Sequence, residues 1–246
     1  MLQKSLVKAL QIIDCLSGER DDYGISEISN ELSLNKSNVH DIMTTFEHFG
    51  YVKKDPKTRR YSLSYRFLEI ANKVSGKFSY QVKVREVLNK ISSEIGEVVY
   101  FGIPNGDRVM YIEGAFPKQS LATKPVTGMT APLVCTGIGK ALLSQYSEDD
   151  LSQIINKPLV QYTDNTITDP NLLREEIKRI RMRGYSIDNM EHEFGVKCVA
   201  VPVLDAERHL IGALSITGPS LRFPDNIILR YAEMLKNAAI DIGERV

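Results

Sequence analysis

Residues 36–41, KSNVHD, bring lysine, serine, asparagine, histidine and aspartate side chains together, and residues 53–60, KKDPKTRR, add five basic side chains against one acidic one. On a helix end, Asn38 and His40 can hydrogen-bond base edges, Lys36 and Ser37 can reach bases or phosphates, and Thr44 can meet the nucleic-acid backbone. Lys53, Lys54, Lys57, Arg59 and Arg60 suit phosphate contact. Asp41 is the awkward member, because a carboxylate near phosphates is repelled unless it accepts from a cytosine amine or pairs with a cation. A solvated helix end and a solvated turn would carry the same residue types, so the distribution of charge matters. Residues 1–35 hold three basic and six acidic side chains, and the whole chain balances 31 against 31. The positive charge is segregated beside the polar helix start, as DNA contact requires.

A second group lies downstream. Asp188, His192, Glu193 and Cys198 fall within eleven residues, but their spacing matches no fixed ligand motif, so no metal is expected. A Cys–His nucleophile pair also needs an orienting group and an oxyanion site. A strand thiol packed as a small hydrophobe is the default for Cys198, and no catalytic residue or cofactor is assigned. In TGIGKALL, residues 136–143, a Thr and two Gly open a helix whose free N–H groups can hold a carboxylate; a simple glycine-containing helix start reads the same way. Ser215 and Thr217 share one face of a strand, as do Cys198 and Ala200, and such small residues leave room for a ligand.

These residues need elements to hold them. A first helix is expected over 4–17, with Leu6, Leu10 and Ile13 inward beside Ala9 and Leu16. Ser26 is expected to cap a second helix and is counted with the DNA-facing residues. Asn35 caps a third helix, whose stripe is Val39, Ile42, Met43, Phe46 and Phe49 and which Gly50 ends. The basic segment then turns between two short strands. Helices follow over 65–79 (Leu68, Ala71, Val74, Phe78) and 82–95, and strands flank Asn105-Gly106. QSLATKP, residues 119–125, is a third candidate strand. Helices over TGIGKALLSQY, SEDDLSQII and DPNLLREEIKRIRMRG, strands over KCVAVPVLD and LIGALSIT, and a closing helix over 224–242 complete the pattern. The mixture without βαβ alternation predicts an α+β second domain with an antiparallel sheet. The expected organisation is a DNA-binding unit over 1–64, a linker helix over 65–79 and a ligand domain over 80–246.

A short helix, a tight link and a helix with a polar leading turn make a helix-turn-helix. The order LVKALQIIDCL, GISEISNELSLNKSNVHDIMTTFEHFGYVKKDPKTRRYSLSYRFLEI, TGIGKALLS and EFGVKCVAVPV…GALSITGP resembles the IclR family of bacterial transcription regulators over nearly the whole chain. The resemblance implies an N-terminal winged helix-turn-helix, a dimerising linker helix and a GAF-like C-terminal domain. It also implies dimers or tetramers acting as repressors or activators on palindromic double-stranded DNA under control of a small metabolite, often an organic acid. Its effector pocket maps onto Gly137, Ile138, Asp188, Cys198, Ser215 and Thr217. Thr217 stands where some relatives carry Ser, and Ile138 where a smaller residue occurs, which bears on pocket size. The competing expectation is a small-molecule enzyme or sensor whose N-terminal unit makes only protein contacts. Three widely spaced cysteines, no signal peptide and no apolar run of membrane-spanning length point to a soluble cytoplasmic protein.

Overall fold

Apolar spacing alone does not choose which side of a short helix faces inward, and helix α1 (Lys4–Leu16) is the example. It buries Ile12, Cys15 and Leu16 and leaves Leu6 and Leu10 more than half exposed, against the expected Leu6–Leu10 stripe. In the computed structural model, residues 2–18, 20–75, 81–117 and 128–244 are described, in two units spanning 1–78 and 79–246.

In the first unit, helix α2 (Ile25–Glu31) starts one residue before Ser26. Gly24 is the N-cap, and its N–H donates to the Glu27 carboxylate at 2.8 Å. Glu27 reaches back to do the capping, so Ser26 is not the cap and sits exposed in the first turn. Helix α3 (Lys36–His48) follows a turn in which Ser33 adopts a left-handed φ of 52°. Buried Ser29 fixes that turn, donating its hydroxyl to the Leu34 carbonyl at 2.6 Å and accepting the Leu34 N–H on its own carbonyl at 2.9 Å. Asn35 holds the N-cap position, although its side chain makes no capping bond. Val39 and Met43 are fully buried, and Ile42 and Phe46 are half-buried. Phe49 departs from the expected stripe: it is the C-cap residue, 61% exposed, with its ring edge-on to His48, because the chain leaves the helix there through Gly50 at φ 75°. Strands β1 (Val52–Lys54) and β2 (Tyr61–Leu63) pair antiparallel from Val52↔Leu63 to Lys54↔Tyr61. Helix α4 (Arg66–Ser75) closes the described part, and Phe78 lies outside the described residues.

The second unit begins with α5 (Gln81–Ile95), which buries Val84, Val87, Leu88 and Ile91. Strands β3 (Val98–Asn105) and β4 (Arg108–Ala115) pair with Asn105 opposite Arg108, so the two-residue turn is Gly106-Asp107, one step beyond the expected Asn-Gly. QSLATKP lies outside the described residues. The chain continues through β5 (Thr130–Pro132), α6 (Gly137–Leu143), α7 (Glu148–Ile155), α8 (Pro170–Arg183), β6 (Ser186–Asn189), β7 (Val196–Leu204), β8 (Leu210–Pro219) and α9 (Asp225–Gly243). The sheet order is β5-β4-β3-β8-β7-β6, antiparallel at every pairing. Two cores form on its faces: Phe101, Val199, Leu214 and Ile216 with α5 and α9, and Tyr100, Ala200 and Ala213 with α6, α7 and α8. This is the expected α+β class with an N-terminal winged helix-turn-helix. Because β8 alternates, Leu214 and Ile216 face the first core while Ser215 and Thr217 face the α6 side.

Candidate functional site

On α3, Lys36, Ser37, His40, Asp41 and Thr44 are exposed and Asn38 is half-buried, so the polar leading turn is free to touch a partner. The His40 imidazole Nδ1 lies 3.6 Å from the Asp41 carboxylate. In the wing, Asp55 accepts the backbone N–H groups of Lys57 and Thr58 at 2.8 and 2.7 Å, bonds that hold its carboxyl below the usual range and shape the tip. Lys57 and Arg59 are exposed there, while Lys53 lies 5.5 Å from the Tyr65 ring centroid and half-buried Lys54 lies 4.9 Å from that of Tyr61.

Arg60 departs from its expected role among the phosphate contacts. Its Nε donates to the Asp22 carboxylate at 2.6 Å and its Nη2 donates to both the Asp22 carbonyl and the Glu27 carboxylate, at 3.1 and 2.7 Å. The guanidinium ties the wing to α2. Two carboxylates earlier in the chain have already taken it.

In the second unit, Asp188 pairs directly with Cys198 across β6 and β7, and Cys198 with Thr217 across β7 and β8. One step along, Ala200 pairs with Ser215, which pairs with Tyr100 of β3. Helix α6 starts above this face: Thr136 caps it, accepting the Gly139 N–H at 3.1 Å and donating to the Pro132 carbonyl at 2.8 Å. Gly137, Ile138, Asp188, Cys198, Ser215 and Thr217 all border one cavity of about 150 Å3. The structure also brings Tyr100 and Tyr111 to its wall, edge to face with centroids 5.3 Å apart, and His192 and Glu193 to its lining. Neither tyrosine stands out in the sequence, although the alternation of β3 and β4 puts both on the α6 side.

The cavity is quiet chemically. The Thr217 hydroxyl donates to the Cys198 sulfur at 3.2 Å and lies 3.4 Å from that of Ser215. Burial pushes the Cys198 thiol well above its usual range, which disfavours a thiolate nucleophile. Burial also raises the Asp188 carboxyl to about 7, against the opposing pull of the Lys140 cation. Asp188 Oδ1 accepts the Glu191 N–H at 2.7 Å. Burial lowers the His192 imidazole. Under the cavity, Lys140 of α6 forms an ion pair with Glu191, both almost wholly buried. Among the described residues, no group of three or more His, Cys, Asp and Glu side chains is placed to hold a metal ion.

An exposed polar helix start with a basic wing, and a sheet domain with a largely apolar cavity that carries a few polar side chains, define a transcription regulator of the helix-turn-helix class. The model for the IclR helix-turn-helix domain matches residues 5–56, and that for the bacterial transcriptional regulator IclR C-terminal domain matches residues 80–244. The chain belongs to the IclR family. It is 31% identical to the HTH-type transcriptional regulator KdgR of Escherichia coli, covering 98% of this chain and 92% of that protein. With XynR of the same organism it shares 29%, over 98% and 96%. Its fold matches the crystal structure of the Thermotoga maritima IclR with a TM-score of 0.79 and 31% identity, over 98% and 97% of the two chains. An IclR homolog from Microbacterium hydrocarbonoxydans, solved with 4-hydroxybenzoate, matches in fold with a TM-score of 0.85 at 19% identity, over 97% of each chain. The family's members are transcriptional regulators rather than enzymes. Among the described residues, no helix is long and apolar enough to cross a membrane.

Proposed function

We propose that this regulator is a cytoplasmic homo-oligomer that binds a palindromic operator of a catabolic operon and changes its grip when a small organic acid enters the GAF-like second domain. The observation that carries the reading is the convergence of Ser215, Thr217, Asp188 and the start of α6 on one cavity whose other wall is aromatic. A carboxylate is held by the two hydroxyls and the Gly137 and Ile138 amides, and the rest of the molecule rests on Tyr100 and Tyr111. Self-association is supported by α4, which leaves Leu68, Ile70 and Val74 exposed, and by Leu6 and Leu10 on α1. Two copies of the helix-turn-helix then read two half-sites, with Lys36, Ser37, Asn38, His40 and Asp41 toward the bases.

Two experiments test this. Fragments enriched by binding should be captured at physiological salt, and a panel of small carboxylates should contain one that shifts the binding curve. Ser215→Ala with Thr217→Val, which preserves shape, is expected to abolish that shift and leave binding without effector intact. An unchanged shift in this variant rejects the cavity as the effector site. For the wing, Lys57→Ala with Arg59→Ala should reduce the dependence of log affinity on log salt by about 2 for each wing, at roughly 0.9 for each phosphate no longer neutralised. Arg60→Ala should leave that slope unchanged and instead lower the melting temperature of the first unit. A slope change in Arg60→Ala alone returns Arg60 to the phosphate-contacting set.

A further inference from the structure

An anionic effector meets a charge problem in this cavity. Among the described residues lining it there is no Lys or Arg, and two of its side chains, Asp188 and Glu193, are carboxylates. Burial disfavours the charged form of its imidazole, His192, and the buried cation of α6, Lys140, is committed to Glu191. We infer that the cavity admits a carboxylate only together with one proton from solvent, held on Asp188 and shared with the ligand, so that Asp188 selects monoanionic effectors against dianionic ones. This rests on the organic-acid reading above and adds to it the charge state that the site accepts.

The geometry around Asp188 gives its carboxyl backbone donors on one side and a weak thiol contact on the Oδ2 side. Oδ1 accepts the Glu191 N–H at 2.7 Å and the His192 N–H also bonds the carboxyl, whereas on the Oδ2 side the Cys198 thiol stands 4.0 Å away and itself accepts from Thr217. An ionised Asp188 beside a ligand carboxylate would place two like charges in a cavity of about 150 Å3 with no cation among its described lining residues. A protonated Asp188, itself buried, instead offers an O–H donor to the anion, a charge-assisted bond. The other titratable groups facing it do not take over. Tyr111 of β4, Cys135 before α6 and Cys198 of β7 are each pushed upward by burial and stay neutral. Glu191 is paired with Lys140, and Glu193 is exposed at the rim.

Burial sets the Asp188 carboxyl at about 7 in the empty protein, which fixes the sign of the effect. Below that pH the proton is already in place, so binding takes up none and affinity is flat. Above it, each binding event draws one proton from solvent and Kd rises about tenfold per pH unit. A dianion brings a second charge that no cation among the described lining residues and no second proton offsets, so it is rejected at every pH where it is fully ionised.

The test uses the full-length protein with 4-hydroxybenzoate and lactate as probes and malonate as the dianion. Calorimetric titration from pH 6 to 9, in pairs of buffers with different ionisation enthalpies, counts protons taken up per ligand bound. Uptake near zero at pH 6 and near one at pH 8.5, with Kd at pH 9 about tenfold above that at pH 8, is expected for a bound monocarboxylate. Asp188→Asn is expected to flatten the profile and remove the uptake. Wild-type affinity independent of pH, or malonate bound as well as lactate at pH 8, overturns the inference while leaving the effector reading in place. Failure of both monocarboxylates to bind at pH 6 overturns the organic-acid reading and the inference with it. The wild-type proton count decides the matter even if Asp188→Asn does not fold.

Discussion

Replacing Lys140 by Met is expected to cost the second unit about 3–5 kcal/mol, the usual penalty for removing one partner of a buried ion pair. Lys140 is 1% exposed and Glu191 5%, and Glu191 Oε2 is buried without a hydrogen-bond partner of its own. Once the ammonium is gone, the remaining carboxylate has only peripheral donors, the nearest being the Asn189 N–H at 3.4 Å from Oε1. The sign of the pH dependence follows. Burial already raises the Glu191 carboxyl in the intact protein, with Lys140 opposing that rise, so the variant's Glu191 is raised further. Because the folded state then binds its proton more tightly than the unfolded chain does, the deficit should be largest above that raised value and shrink as pH falls through it. Glu191→Leu added to Lys140→Met should recover most of the loss, since an apolar pair of similar volume needs no solvation. Urea dependence of hydrogen exchange at α6 and β7 amides measures the effect. A deficit under about 1 kcal/mol, or one that grows on acidification, would show that the pair does not hold α6 to the β6–β7 loop.

The legibility of the site in the sequence divides along physical lines. Where a signal is local and periodic, it survives folding. Val39 and Met43 hold α3 inward as their spacing requires, and Ser215 and Thr217 share a face because strand periodicity leaves no alternative. Where the deciding partner is distant in the chain, the signal fails. Arg60 reads as a wing cation among its neighbours, and only Asp22 and Glu27, brought to it by the fold, convert it to an internal tie. Ser26 fails because Glu27 supplies the cap from inside the helix. Strand β6, four residues at the sheet edge, has too little alternation to register, yet it carries Asp188. The family resemblance is what points to that residue, and its raised carboxyl is a property of burial that no spacing encodes. The tyrosine wall escapes a sequence reading for a related reason, since Tyr100 and Tyr111 read as ordinary strand aromatics until the sheet brings them together.

The two glycines of TGIGKALL read alike in sequence, and the structure gives them opposite consequences. A Cβ added to Gly139 would lie 2.1 Å from the Leu133 carbonyl oxygen and 2.5 Å from its Cα, well inside contact distance. Leu133 cannot easily retreat, because its N–H donates to the Asp107 carbonyl at 3.3 Å and the preceding Pro132 carbonyl receives the Thr136 hydroxyl. Gly139→Ala is therefore expected to destabilise the second unit by about 3 kcal/mol or more, exceeding the roughly 1 kcal/mol that Ala gains over Gly in a helix. A Cβ on Gly137 meets only side chains, Cys198 Cβ at 3.0 Å, Ala200 Cβ at 3.6 Å and Asp188 Cβ at 3.8 Å. Cys198 and Asp188 line the cavity beside Gly137, so Gly137→Ala should keep a folded protein that binds its DNA and should lose its response to the effector as the methyl crowds the ligand's place. Melting curves and effector titrations on the two variants separate the cases. Wild-type stability in Gly139→Ala would mean that α6 can slide off Leu133. A full effector response in Gly137→Ala would mean that the ligand does not press against the start of that helix.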